Sequence, residues 1–72
     1  MVTFSDRLKE QRKDIKATQK QMAELLEVTE RHFQRYEAGE IDPPTSVTIK
    51  LADYFNVSTD YLLGRSDDPT RH

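Results

Sequence analysis

The fold of this chain is decided by residues 18–39, TQKQMAELLEVTERHFQRYEAG, in which two helix starts follow one another closely. Thr18 is a predicted N-cap because Gln21, three residues later, completes the capping-box pattern. The next N-cap is Thr29, and Gly39 supplies the left-handed residue with which helices commonly end. The pattern predicts helices over residues 19–26 and 30–38. Their short connection makes them cross sharply instead of lying antiparallel.

A further helix is predicted before this pair. It covers residues 3–15, where Phe4, Leu8 and Ile15 return to one face at helical spacing. Arg12 lies between them on that same face.

Two more helices are predicted after the pair. The prolines at positions 43–44 mark a loop, since a proline biases the preceding residue away from the helix. A fourth helix follows over residues 46–56. Ser58 caps a short fifth helix, with Val57 and Leu62 at the spacing of a hydrophobic staple, and Gly64 ends it.

The predicted architecture is an all-α, compact five-helix domain over residues 1–65. Residues 66–72 offer nothing to a core, so we expect a frayed polar tail there. The core is expected to contain six large side chains from the inner helix faces: Met22, Leu26, Phe33, Tyr36, Leu51 and Phe55.

Composition narrows the classes of protein to which the chain can belong. Its 72 residues are 35% apolar and 33% charged, which favours a small globular domain over a disordered or membrane protein. The chain has no cysteine, so disulfides and thiolate metal sites are excluded, and no cofactor or metal is expected. The first residues lack the layout of a secretory signal, and a cytoplasmic location is expected.

Charge is distributed unevenly along the chain. The net charge of −2 is unusual for a nucleic-acid binder. Residues 1–20, however, carry six basic and three acidic side chains, whereas residues 41–72 carry three basic and five acidic ones. A small domain can present one basic face and still be acidic in sum.

Several separated segments match a known family in order and spacing. They are residues 18–26, 28–29 and 33–39, followed by Lys50-Leu51-Ala52 and Asp60-Tyr61-Leu62-Leu63-Gly64. Together they resemble the Cro/CI (XRE-type) helix-turn-helix family of phage-repressor-like transcriptional regulators. The resemblance implies sequence-specific binding of double-stranded operator DNA by a homodimer that represses transcription. It implies neither a membrane partner nor a small-molecule substrate.

The resemblance also implies which residues meet DNA. In this family the third helix lies in the major groove, and its N-terminal residues meet base edges. The matching positions are Glu30, Arg31 and Arg35, flanked by His32 and Gln34. Arginine can donate twice to guanine, and a glutamate accepts from cytosine, so a half-site containing G·C is expected.

Other roles follow from the same resemblance. Thr18 and Gln19 open the second helix, whose free N–H groups favour phosphate. Arg12 and Glu37 are expected to form a partly buried ion pair that fixes the third helix. On that ground Arg12→Ala should destabilise the fold more than Arg7→Ala. Dimer contacts are expected from four residues near the fifth helix: Val57, Ser58, Thr59 and Tyr61.

The chain departs from the family pattern at three places. Lys16 and Glu27 stand where the family often has glycine, and the loop after the third helix, residues 40–43, is acidic instead of basic. Two alternatives therefore stay open. One is that the domain is a protein-interaction module such as an antitoxin or adaptor. The other is that it is the N-terminal DNA-binding part of a longer repressor. An enzyme is not expected, because no nucleophile–base set or glycine-rich phosphate loop is present.

Overall fold

The helices begin and end close to the predicted positions. The computed structural model describes residues 2–71. In this part of the chain the helices are α1 (Phe4–Asp14), α2 (Gln19–Leu26), α3 (Glu30–Glu37), α4 (Thr45–Phe55) and α5 (Thr59–Leu62). None of them is long and apolar enough to cross a bilayer. The five-helix expectation is confirmed.

Side-chain caps explain where four of the helices begin. In each case the side-chain hydroxyl of the N-cap residue accepts a hydrogen bond from the backbone N–H three residues later. The four N-cap residues are Thr3, Thr18, Thr29 and Ser58. At α1 the cap is reciprocal, because the Thr3 N–H donates to Asp6 Oδ2 at 3.1 Å. This hydrogen bond holds the pKa of the Asp6 carboxyl below its ordinary value. The fourth helix begins after Pro44, which supplies no side-chain cap.

The core lies where α1 packs on α3 and α5, where α2 packs on α3, and where α4 packs on α5. All six side chains predicted for it are buried. They are joined by Leu8, Ala23, Ala52, Val57 and Leu62. Ile15 is an exception to the predicted apolar stripe of α1. The helix ends at Asp14, so Ile15 leaves the stripe and is 45% exposed.

The expectation of a frayed tail is wrong for residues 66–71, while His72 lies outside the described residues. The Ser58 N–H donates to the Pro69 carbonyl at 3.0 Å. Arg71 donates to the Ala52 carbonyl at 3.3 Å and pairs with Asp53. The tail therefore adds hydrogen bonds to backbone groups at the end of α4 and the start of α5.

The two residues that stand where the family often has glycine both adopt a left-handed backbone conformation. Lys16 has a φ of 57° and Glu27 a φ of 59°. Glu27 ends α2, and the next residue, Val28, donates its N–H back to the Ala23 carbonyl at 3.0 Å. The tight turn into α3 thus requires a conformation that is unfavourable for a residue with a Cβ atom.

Replacing Glu27 by glycine is therefore expected to stabilise the domain. Relief of the left-handed backbone gains about 1–2 kcal/mol, and the greater freedom of unfolded glycine costs about 0.5–1 kcal/mol. The net gain of roughly 0.5–1 kcal/mol is measurable by urea unfolding. Glu24→Gly, in the body of the same helix, should instead destabilise by about 1 kcal/mol. Equal losses for both variants would contradict the explanation.

Candidate nucleic-acid interface

One face of α3 is polar and open to solvent. Glu30, Arg31, Gln34 and Arg35 are all exposed and together occupy about 140° of the helix circumference. We call these four residues the α3 strip. On the opposite face Phe33, Tyr36 and Glu37 are buried. The helix is thus anchored along one side and presents hydrogen-bonding groups along the other.

His32 lies at the border of the α3 strip and not within it. Its Nε2 is 3.0 Å from Tyr36 Oη, and the two rings make an edge-to-face contact with centroids 4.8 Å apart. The side chain is accordingly half-buried. Four of the five residues predicted to meet bases share one surface, and His32 is turned toward its neighbour one helical turn later.

A buried ion pair locks α3 against α1. Arg12 donates from Nε to Glu37 Oε2 at 2.6 Å and from Nη2 to Glu37 Oε1 at 3.2 Å. Its third contact is from Nη1 to the Ala17 carbonyl at 3.0 Å. The Glu37 side chain is 4% exposed and the Arg12 side chain 15%. The bidentate geometry compensates the two charges and fixes their relative orientation.

Two glutamines connect this ion pair to the α3 strip. Gln19 donates from Nε2 to Glu37 Oε1 at 2.9 Å, and Gln34 donates from Nε2 to Gln19 Oε1 at 3.2 Å. The Gln19 side chain, predicted to touch phosphate, is thereby engaged inside the protein. It braces the two helices of the motif against each other.

Backbone groups are left to bind an anion at the start of α2. Thr18 is occupied by its capping box, donating its N–H to Gln21 Oε1 at 2.8 Å and accepting the Gln21 N–H at 3.0 Å. The first N–H groups of a helix have no intrahelical partner, and here these belong to Gln19 and Lys20. These N–H groups and the positive end of the helix dipole make this end of α2 favourable for an anion.

Glu40 is a neighbour of the α3 strip that the sequence did not reveal. Its Oε2 lies 3.5 Å from Arg35 Nε, and both side chains are exposed. The Glu40 N–H also donates to the Arg35 carbonyl at 3.0 Å. Four residues lie between the two along the chain, and the helix ends among them, so no helical spacing rule predicts the contact.

The predicted dimer residues are not a continuous surface. Val57 is buried at 6% exposure because its side chain belongs to the core, so its assignment to a dimer surface is wrong. Tyr61 is half-buried under Arg7, whose Cζ lies 3.7 Å from the ring centroid. Ser58 is half-buried, and only Thr59 is exposed.

Arg7 is itself buried, which the expected comparison of Arg12→Ala with Arg7→Ala did not anticipate. It is 5% exposed and pairs through Nη2 with Asp67 Oδ1 at 3.1 Å. Its Nη1 is buried without a hydrogen-bond partner among the described residues. Arg7→Ala is therefore unsuitable as an exposed comparison for Arg12→Ala.

An apolar groove lies close to the predicted dimer residues. It has a volume of about 340 Å³ and runs between the start of α4 and α5. Ile49 is 48% exposed and Leu63 41% exposed at its wall, beside Thr59. Within residues 2–71 no cluster of three or more metal-ligating side chains accompanies this groove or any other surface.

Comparison with known proteins agrees with the geometry of the motif. A family model described as "Helix-turn-helix domain" matches residues 3–69. The HTH-type transcriptional regulator ImmR of Bacillus subtilis is 41% identical over 66 residues, which make up 92% of this chain and 52% of that protein. The cryptic phage CTXphi transcriptional repressor RstR of Vibrio cholerae is 40% identical over 62 residues, 86% of this chain and 55% of RstR. The chain thus spans about half the length of these relatives.

A solved structure shows the same fold. The P22 c2 repressor, crystallised with a synthetic operator, superposes with a TM-score of 0.82 at 23% identity, covering 92% of this chain and 100% of that one. The family match extends over nearly the whole chain. The chain therefore belongs to the Cro/CI (XRE-type) helix-turn-helix family of DNA-binding transcriptional regulators, which are not enzymes.

Proposed function

We propose that this chain binds operator DNA sequence-specifically as a homodimer and represses transcription by excluding polymerase from the promoter. One observation carries the proposal. The α3 strip is an exposed row of hydrogen-bonding side chains on a helix whose other face is locked into the core. A reading surface of this kind fits the major groove, which admits one α-helix and displays a distinct pattern for each base pair.

The residues of the motif divide into two roles in this proposal. Arg31, Gln34 and Arg35 meet base edges, with Glu30 accepting from a cytosine. His32 stays beside Tyr36 and reaches a base only by leaving that contact. The N-terminus of α2 receives a backbone phosphate through the N–H groups of Gln19 and Lys20. Under this proposal the chain acts in the cytoplasm, where bacterial chromosomal DNA lies.

The dimer is proposed to form at the apolar groove beside α5. Thr59 remains in this interface from the predicted set, and Ile49 and Leu63 replace the buried Val57. A two-fold pair of motifs would read two half-sites about one helical turn apart.

Selection from a random pool of duplex DNA at moderate salt, followed by sequencing, tests the proposal. An enriched inverted repeat is expected, and it gives the operator and half-site spacing together. A single enriched half-site would contradict the dimer and favour a domain that needs further chain to dimerise. No enrichment by the folded protein would overturn DNA recognition.

Substitution of the two strip arginines gives a residue-level prediction. Arg31→Ala and Arg35→Ala should each weaken binding of the selected duplex by about 1–3 kcal/mol and relax the preference at one base pair. Electrophoretic mobility shifts on single-site variants of the operator measure this directly. Arg65→Ala, an exposed arginine far along the chain after α5, is the matched control. A uniform loss across all sequences would make the arginine a phosphate contact.

The protein-interaction module is the second candidate. It is favoured by Glu40, an exposed carboxylate next to the proposed DNA face, and by Asp42, a second exposed carboxylate in the same loop. Salt dependence separates the two candidates. Phosphate contacts make affinity fall steeply with salt, whereas an apolar protein interface is nearly insensitive to it.

A further inference from the structure

We propose that Glu40 is a specificity-determining residue, which suppresses binding of non-specific DNA by pairing with Arg35. The inference rests on the proposed function, since it concerns the same DNA face. It assigns to the acidic loop after α3 a role within DNA recognition, and so accounts for a carboxylate at a site where phosphate is expected to approach.

The backbone fixes Glu40 relative to α3. Gly39 reverses the chain with a φ of 73°, and the Glu40 N–H then donates to the Arg35 carbonyl at 3.0 Å. This hydrogen bond returns the chain to the last turn of the helix. The Glu40 backbone is consequently fixed beside Arg35, and its exposed carboxylate lies 3.5 Å from Arg35 Nε.

The same carboxylate forms a wall of the proposed reading site. An open cleft of about 670 Å³ is lined by Arg31, Gln34, Arg35, Ala38 and Glu40. Three of these residues belong to the α3 strip. A negative charge therefore stands at the edge of the surface where a base edge or a phosphate would enter.

Phosphate and guanine respond differently to this charge. Attraction to phosphate is Coulombic, so a neighbouring carboxylate both neutralises Arg35 and repels the phosphate. A guanine edge is uncharged, and it binds arginine through two directed hydrogen bonds to O6 and N7. The ion pair uses Arg35 Nε, which leaves the two terminal nitrogens for guanine. Glu40 therefore weakens binding to phosphate more than binding to the correct base.

Equilibrium binding of Glu40→Gln to two duplexes tests the inference. One duplex carries the sequence enriched by selection, and the other has the same base composition in scrambled order. For the scrambled duplex we expect affinity to rise by up to about fivefold, the upper end of what an exposed ion pair contributes. The slope of log K against log salt should steepen by about 0.9 if Arg35 gains one phosphate. The selected duplex should gain less, so the specificity ratio falls.

Asp42→Asn is the matched control, because it removes the same charge from the same loop and leaves the Arg35–Glu40 pair intact. It should change binding of both duplexes alike and preserve the ratio. In the background of Arg35→Ala, Glu40→Gln should no longer raise the affinity for the scrambled duplex.

Three outcomes would overturn the inference. If Glu40→Gln strengthens the binding of both duplexes equally, Glu40 has no specific role, while DNA recognition stands. The same conclusion follows if Asp42→Asn lowers the specificity ratio as much as Glu40→Gln does. If the unmodified protein does not prefer the selected duplex, the proposed function fails as well. The two failures are thus distinguished by the unmodified protein alone.

Discussion

Arg12→Ala is expected to lower the free energy of unfolding by about 3–5 kcal/mol. In the intact domain the Glu37 side chain is 4% exposed. Arg12→Ala leaves Gln19 as the remaining donor to this carboxylate in the site, so a buried charge loses its compensating partner. The Ala17 carbonyl loses its arginine donor at the same time. For a domain of this size the total stability is about 4–11 kcal/mol, so the loss removes a large fraction of it.

Urea unfolding followed by circular dichroism measures the loss. Lys13→Ala is the control, since Lys13 is exposed in the same turn of α1, and it should stay within about 0.5 kcal/mol of the unmodified protein. Adding Glu37→Gln to Arg12→Ala removes the uncompensated charge and should restore part of the stability. The explanation fails if Arg12→Ala and Lys13→Ala unfold at the same urea concentration.

Gly64→Ala is expected to destabilise the domain by about 2–5 kcal/mol. Gly64 ends α5 with a φ of 79°, where any residue with a Cβ atom is strained. A Cβ at this position would also lie 2.5 Å from the Val2 carbonyl oxygen. Because that atom is backbone, relief requires the chain leading into the Thr3 cap of α1 to move.

Gly39→Ala separates the two contributions. Gly39 has nearly the same backbone, with a φ of 73°, but its Cβ would meet only the side chain of Ser5, with Oγ at an ordinary 3.4 Å. Its loss should be limited to about 1–2 kcal/mol from the left-handed backbone. Thermal melting of both variants tests the difference. Equal losses of stability in the two variants would show that the N-terminal segment can move away from the added Cβ without destabilising the domain.

Local signals account for the parts of the fold that were predicted from the sequence. Caps such as Thr18 and Thr29 act within four residues, and the chain supplies their partners at fixed spacing. The burial of Arg7 has no such signal, because its partner Asp67 lies sixty residues away and comes near only when the tail returns. Until that return is known, Arg7 is indistinguishable from a solvated arginine.

Val57 illustrates a conflict between two kinds of prediction. Its staple spacing with Leu62 indicates burial, whereas the family resemblance of the segment placed it at a dimer surface. The structure agrees with the staple, and both side chains are in the core. A hydrophobic contact specified by spacing is thus the better guide to a single side chain than a role carried over for a whole segment.

The candidate site, like the fold, was predictable in part from the sequence. The α3 strip follows from helical periodicity, and the contact of His32 with Tyr36 has the i, i+4 spacing of neighbours on a helix. The hydrogen bond from Gln19 to Glu37 depends on the angle at which α2 crosses α3. The sequence indicates that the helices cross sharply, but it does not specify the angle. Glu40 depends on the chain direction after Gly39.

The brace from Gln34 through Gln19 to Glu37 has a consequence for the entropy of recognition. An unconstrained side chain of this length loses about 0.5–1.5 kcal/mol of rotamer freedom when a ligand immobilises it. In this domain the Gln34 amide is already oriented by the folded protein, with its second N–H and its carbonyl oxygen left to face a base. Under the proposed function, mutations that loosen the α2–α3 crossing would weaken DNA binding without touching a residue that contacts DNA.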